Sequence, residues 1–298
     1  MRFPILLIVP SLLVIASSDA VACSQCMCGT PFPAGVFGGV VPARFTYGLE
    51  DRYLSKSNAL DEAPGTEDER EHRLAALGLW RPHVRLALLA RLPYSFKEIT
   101  TTLVGAPSSV ERAHGLGDAE MLAMIGVAQT SASALGAVAG FDAPTGANDL
   151  KDANGERLDA HLQTGTGAWT GTGGLNLAVT SGPGSWESSI VGRVNGTNAH
   201  GYRYGNVLLY NAGFTSRSRN GVRLMVQING RSAGKDRLED GTMGENTGGT
   251  VVYVAPGLRW VSSLGLGFEA GVQIPTIQAL YGVQTEHTTA RLNLFMAH

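Results

Sequence analysis

Residues 264–274 read Leu264-Gly265-Leu266-Gly267-Phe268-Glu269-Ala270-Gly271-Val272-Gln273-Ile274 and alternate apolar residues with glycine, glutamate or glutamine. Side chains on a β-strand point to opposite faces with a period of two residues. One face of this segment is therefore apolar, and the other is polar or small. The pattern predicts a strand with an apolar environment on one side and a polar one on the other.

The same alternation continues along most of the chain. With 264–274, the segments make about twelve strands of roughly 9–13 residues, which is the length that crosses a bilayer at a tilt. The other candidates are 40–54, 71–81, 83–92, 117–129, 134–143, 168–180, 185–195, 203–216, 222–229, 249–261 and 286–297. No long segment with helical periodicity competes with them, so the sequence predicts an all-β chain.

The connections between these strands alternate between short and long. Short turns are predicted at 81–82, 130–133, 181–184, 216–221 and 262–263, and long polar connections at 55–70, 96–116, 143–167, 196–206, 231–248 and 275–285. A transmembrane antiparallel β-barrel has this rhythm, with short periplasmic turns, long extracellular loops and both termini in the periplasm. The alternative is a secreted β-sandwich, in which short and long connections are not expected to alternate.

Composition excludes other classes of protein. The chain has 298 residues, of which 44% are apolar, 16% are charged and 39 are glycine, with a formal net charge of −2. Disordered chains are more charged and less apolar, and nucleic-acid binding requires a basic surface that this chain lacks. No G-x-S-x-G, H-E-x-x-H or phosphate-binding glycine loop is present, so we predict no enzymatic activity.

The N-terminus predicts export. Met1-Arg2, the apolar segment 5–16 and the A-x-A site at Ala20-Val21-Ala22 form a signal peptide over 1–22. A cysteine-rich segment then occupies 23–38, and the barrel occupies 39–298. These features predict location in the bacterial outer membrane, with membrane lipid and a small-molecule solute as partners.

If the apolar faces meet lipid, the polar faces line the lumen. The predicted lumen-lining residues are Arg85, Arg91, Glu187, Arg193, Arg223, Gln227, Arg259, Glu269, Gln273 and Arg291. Arginine outnumbers acidic residues in this set, which indicates either a weak preference for anions or structural Arg–Glu pairs in a narrow barrel. Arg259 and Glu269 lie on adjacent predicted strands and are expected to pair.

Several short motifs resemble one family of outer-membrane barrels. They are Gly140-Phe141-Asp142-Ala143-Pro144-Thr145-Gly146, the segment 162–169, Tyr253-Val254-Ala255-Pro256-Gly257-Leu258, Gly271-Val272-Gln273-Ile274-Pro275 and Gly282-Val283-Gln284. Their spacing over 117–297 resembles the barrel family named for the meta-pathway of phenol degradation. The resemblance implies a transport barrel for small molecules of hydrophobic or aromatic character, and it carries over no binding residues.

All three cysteines lie in Cys23-Ser24-Gln25-Cys26-Met27-Cys28-Gly29. Thiolates at C-x-x-C-x-C spacing suit Cu(I) or Zn(II), so Cys23, Cys26 and Cys28 are a candidate metal site or a contact for a periplasmic partner. Acylation of Cys23 and a local disulfide are alternatives. The leading functional prediction is a channel for small molecules, and the others are a metal- or partner-binding barrel and a closed barrel without transport.

Overall fold

The computed structural model describes residues 43–59 and 64–298 and consists of strands, turns and loops. The predicted signal peptide and the cysteine-rich segment lie outside the described residues. No helix in the described part of the chain has the length and apolar character needed to cross a membrane. The strands are β1 (Phe45–Ala59), β2 (Gly65–His83), β3 (Leu86–Leu103), β4 (Ser109–Leu116), β5 (Ala119–Gln129), β6 (Ser133–Ala143), β7 (Thr170–Ser181), β8 (Gly184–Asn195), β9 (Val207–Ser216), β10 (Val222–Ala233), β11 (Gly249–Val261), β12 (Leu266–Leu280), β13 (Gln284–Glu286) and β14 (Thr289–Ala297).

These segments form a closed antiparallel barrel of twelve wall positions. Neighbouring wall strands follow the chain order, and β14 closes the ring by pairing with β1 from Thr46↔Ala297 to Tyr53↔Ala290. Two wall positions are each built from two segments. β4 and β5 both pair with β3, and β13 and β14 both pair with β1. The predicted all-β barrel of about twelve strands is confirmed.

In β12, apolar side chains point outward and polar side chains point inward, as the sequence predicts. Leu266 is 48% exposed, whereas Glu269 is 1% exposed and Gln273 is 7% exposed. Because the apolar side chains of the wall point away from the barrel axis, they form an outer surface that is favourable in lipid. The polar side chains of the same strands point inward.

Two rows of aromatic side chains border this apolar surface. Near the short turns, the ring pairs are Phe45–Trp80, Trp186–Phe214 and Trp260–Phe268. Near the long loops, the pairs are Tyr53–His72, Tyr94–Phe96 and Phe141–Trp169. Trp80 and His72 are eight residues apart on β2, which for a tilted strand corresponds to an apolar band of about 20 Å. Aromatic girdles of this kind mark the two interfaces of a bilayer.

The two ends of the barrel differ in the length of their connections. Short turns join β2–β3, β5–β6, β7–β8, β9–β10 and β11–β12 at one end, here called the turn end. The segments 104–108, 144–169, 196–206 and 234–248 lie at the opposite end, here called the loop end. Both described termini lie at the turn end, where the Phe45 amide donates a 3.0 Å hydrogen bond to the His298 carbonyl.

Three of the predicted long connections are wrong. β12 continues to Leu280 and β13 begins at Gln284, so most of 275–285 is strand. β1 continues to Ala59 and β2 begins at Gly65, so most of 55–70 is strand, and β3 continues to Leu103 within the predicted connection 96–116. The extensions of β1, β2 and β3 carry charged residues on both faces, including the outward pair Arg112–Glu98 at 2.7 Å. They extend past the loop-end aromatic row, so they lack the lipid-facing apolar residues from which strands were predicted.

Candidate functional site

The lumen of the barrel is filled largely by paired charges. Among the described residues, the buried side chains include eight acidic and eight basic ones. The acids are Glu50, Glu69, Glu71, Glu120, Asp142, Asp236, Glu269 and Glu286, and the bases are Arg52, Lys56, Arg73, Arg91, Lys97, Arg193, Arg231 and Arg259. Because the two signs balance, this geometry favours structural pairs over a general excess of positive charge.

One network crosses the lumen from β3 to β8. Glu120 on β5 pairs with Arg91 on β3 and lies 3.2 Å from Arg193 on β8. Arg193 also pairs with Asp142 on β6. Glu120 and Arg91 are 1% and 3% exposed, and buried charges are stable only when they are paired in this way. The network fixes a polar layer across the middle of the lumen.

A second network lies on the opposite part of the wall. The Glu269 carboxylate forms ion pairs with Arg259 at 2.6 Å and with Arg291 at 2.5 Å. Arg259 and Glu269 are direct cross-strand partners, as the sequence predicts. Glu50 on β1 lies 3.1 Å from Arg52 and 4.0 Å from Arg91, so it extends the charge pattern toward the first network.

The predicted lumen-lining residues fall into three groups by burial. Six of them are buried on the inner face, namely Arg91, Arg193, Gln227, Arg259, Glu269 and Gln273. Glu187, Arg223 and Arg291 are half-buried. Arg85 is exposed in the turn between β2 and β3, so the structure places it at the rim and not inside the lumen. The reason is that β2 runs on to His83, which moves this turn from the predicted 81–82 to 84–85.

Sequence reasoning missed several acids that complete the networks. Glu120 and Asp142 are the partners of Arg91 and Arg193, yet β5 and β6 carry apolar residues on both faces. On β5, Leu122 and Met124 point inward while Met121 and Ile125 point outward. In these two strands, polarity does not alternate, so the sequence pattern could not identify the inward-facing acids. Glu50 and Arg52 do alternate in β1, and that spacing could have identified them.

An apolar layer lies directly beside the polar one, on its turn side. Leu89 and Leu122 each lie two residues nearer the turns than Arg91 and Glu120, and they are cross-strand partners. Leu79, Met124 and Val138 belong to the same buried cluster. At the turn end, a cavity of about 640 Å³ is bordered by Arg81, Leu86, Gly126 and Leu135 among others. On this part of the wall, from β2 to β6, the inner face thus changes from polar to apolar toward the turns.

The 144–169 loop, which joins β6 to β7, folds into the loop end of the barrel. The Lys97 ammonium donates hydrogen bonds of 2.7 Å to the His161 carbonyl and 2.6 Å to the Gln163 carbonyl. Leu162 is 0% exposed and packs with Ile99, Ala113 and Leu158. One inward lysine of the wall therefore holds the loop backbone across the lumen.

The His161 ring joins this loop to three other parts of the molecule. Its Nδ1 lies 3.4 Å from the Glu69 carboxylate, and its Nε2 lies 3.2 Å from the Tyr202 hydroxyl and 3.4 Å from the Asp236 carboxylate. The Tyr202 hydroxyl donates a 2.6 Å hydrogen bond to Asp236. Burial and the Lys56 ammonium lower the pKa of His161, but hydrogen bonds to Asp236 and Glu69 outweigh them and raise the pKa to about 10.

Asp118 closes the wall where β4 passes into β5. Its carboxylate accepts hydrogen bonds from the Gly146 amide at 3.0 Å, the Thr166 amide at 2.7 Å and the Thr166 hydroxyl at 2.6 Å. β4 pairs with β3 and has no ladder to β6, so both ends of the 144–169 loop take the place of a neighbouring strand here.

The metal prediction falls on residues outside the described part of the chain. Cys23, Cys26 and Cys28 all precede residue 43, where the described residues begin, and Cu or Zn binding at these cysteines stays a prediction. Within 43–59 and 64–298, no group of three or more His, Cys, Asp or Glu side chains is arranged to hold a metal ion.

A closed barrel with lipid-facing aromatic rows and a charge-paired interior defines an outer-membrane β-barrel protein. A family model described as the MetA-pathway of phenol degradation matches residues 76–279, and the chain belongs to this family. The resemblance noted in the sequence is thereby confirmed.

Solved structures agree on the fold. An outer-membrane channel from Pseudomonas putida F1 is 14% identical and superimposes with a TM-score of 0.67, covering 90% of this chain and 100% of that one. The transport unit of the autotransporter AIDA-I from Escherichia coli is 10% identical, with a TM-score of 0.57 over 85% and 90% of the two chains. No curated protein sequence matches the chain.

Proposed function

We propose that this protein is an outer-membrane channel for small molecules with an apolar or aromatic body. The observation that carries the proposal is the lumen itself, in which a charge-paired polar layer lies directly beside an apolar layer of Leu89, Leu122 and Met124. A solute that bears both an apolar surface and a polar group can contact each layer in turn. The family's description, which concerns phenol degradation, supports the same solute class.

The proposal includes an orientation. The loop end faces the cell exterior, and the turn end, which carries both ends of the described residues, faces the periplasm, because bacterial barrels place short turns on the periplasmic side. In this orientation, a solute meets the 144–169 loop first, then the polar layer, and leaves past the apolar layer. A protease site inserted at Gly241, in the 234–248 loop, tests this arrangement. We expect cleavage on intact cells, and protection there would reverse the orientation.

Uptake by whole cells tests the channel function. The outer leaflet of the outer membrane is a barrier that simple phospholipid vesicles do not reproduce, so the assay uses a porin-deficient bacterium that expresses the full chain. We expect faster uptake of labelled phenol than in cells that carry the empty vector. Equal uptake in both strains, with the barrel shown to be folded in the membrane, would overturn the proposal.

A further inference from the structure

A small cavity lies inside the barrel between the polar layer and the 144–169 loop. Its volume of about 50 Å³ gives room for roughly three to five water molecules, since one water needs about 10–15 Å³ on this measure. Pro93, Tyr204 and Val207 supply its apolar side, and Asp142, Thr164 and Arg193 are among its polar lining. The cavity is thus amphipathic.

Two polar atoms of this lining lack hydrogen-bond partners among the described residues. They are Oδ1 of Asp142 and the hydroxyl of Thr164, in residues that are 7% and 4% exposed. The other Asp142 oxygen pairs with Arg193. A buried acceptor without a donor costs about 1–3 kcal/mol, so such atoms mark a place where a donor is expected.

The second acid of the cavity does not offer the same opportunity. Asp118 accepts three hydrogen bonds from Gly146 and Thr166 with its two oxygens. Thr170 donates to Asn195 at 2.8 Å. Asp118 and Thr170 are therefore already hydrogen-bonded to the loop and the wall. The acceptor that has no hydrogen-bond donor is Oδ1 of Asp142.

We propose that this cavity is a binding site for one small neutral molecule that carries a hydroxyl group on an apolar body, the class to which phenols belong. The apolar body contacts Pro93, Tyr204 and Val207, and the hydroxyl donates a hydrogen bond to the Asp142 carboxylate, with Thr164 as a second polar contact. The inference rests on the proposed function and adds to it a site inside the lumen at which the solute pauses.

Equilibrium dialysis of labelled phenol against the purified full chain in detergent tests the site. Wild type is expected to show a saturable component above detergent partitioning, and benzene, which lacks the hydroxyl, is expected to show none. Asp142→Asn removes the charged acceptor and is expected to weaken phenol binding by about tenfold or more, as for other hydrogen bonds to charged groups. Asp149→Asn, in an exposed part of the loop, is the matched control and should bind as wild type does.

A second variant keeps the test independent of the Asp142–Arg193 pair. Val207→Phe fills the apolar side of the cavity without removing a charge, and it should abolish saturable binding. If phenol shows no saturable binding, the cavity holds only water and the inference is overturned. Binding that neither variant changes would also overturn it, because the site would lie elsewhere. Either result can coexist with phenol uptake by cells, so failure of the site is distinguishable from failure of the channel.

Discussion

The side chain of His161 makes several of the contacts that close the loop end. Its ring lies between Glu69 of the wall, Tyr202 of the 196–206 loop and Asp236 of the 234–248 loop. Sequence patterns predicted none of this, because His161 lies in a polar segment that reads as an exposed connection. Only the folded chain brings together residues that are 41, 75 and 92 positions apart.

The protonation of His161 is expected to make the closure of the loop end pH-dependent. A pKa raised from 6.5 to about 10 means that the protonated ring favours the closed loop. The stabilisation is complete below about pH 6.5 and is lost as pH rises through about 10. We therefore expect ion conductance across planar bilayers to be lowest near pH 6 and to increase toward pH 10.

A histidine variant identifies the group responsible. His161→Gln should conduct more than wild type at pH 6 and should lose most of the increase toward pH 10. His83→Gln, in an exposed position at the turn end, is the control and should keep the wild-type profile. A pH profile that is unchanged in His161→Gln would contradict the role of this ring.

At the scale of elements, the 144–169 loop acts as part of the wall as well as a cover. Gly146 and Gly165 touch backbone to backbone, and a Cβ built on Gly165 would lie 2.5 Å from the Gly146 carbonyl carbon. Asp118 holds both ends of the loop beside β5. The glycines at these positions are required by close approach of two backbone segments.

Gly165→Ala is expected to loosen the loop. The added methyl group must displace backbone, which typically costs about 1–3 kcal/mol in a packed site. Limited proteolysis of the folded barrel should then show faster cleavage within 144–169. Gly171→Ala is the matched control, since a Cβ there meets nothing within 4 Å. Equal cleavage rates for the two variants would show that the close contact is unimportant.

The predictability of the elements follows from their surroundings. β12 was predictable because lipid on one side and lumen on the other impose strict alternation on 264–274. The loop-end parts of β1, β2 and β3 could not be predicted as strands. They extend beyond the lipid-facing band, so charged residues occur on both of their faces and polarity does not alternate. Arg259–Glu269 could be predicted from adjacent strands, whereas Arg91–Glu120 could not, since β5 is apolar on both faces.

At the scale of the whole molecule, the lumen is balanced in charge. The eight buried acids and eight buried bases form pairs across strands, such as Arg259–Glu269, and within one strand, such as Arg73–Glu71. The arginine excess among the predicted lumen residues disappears once their partners are included. A lumen of this kind should discriminate weakly between small cations and anions.

Ion selectivity tests this balance. Under a KCl gradient, we expect a zero-current potential close to zero for wild type. Glu120→Gln removes one negative charge and should shift the potential toward anion selectivity, whereas Arg91→Gln should shift it in the opposite direction. A strong wild-type anion preference would show that unpaired positive charge, and not the paired networks, controls permeation.

We propose that the chain forms a channel whose loop end is closed by the 144–169 loop, held by Lys97. The most direct measurement is single-channel conductance of the full chain in planar bilayers, for wild type and Lys97→Met. Arg112→Met, an outward residue of the same end with a 71% exposed side chain, is the control. We predict a small steady conductance for wild type and Arg112→Met, and a clearly larger one for Lys97→Met. Absence of current in all three proteins, or equal conductance in wild type and Lys97→Met, would show that the 144–169 loop does not close a channel.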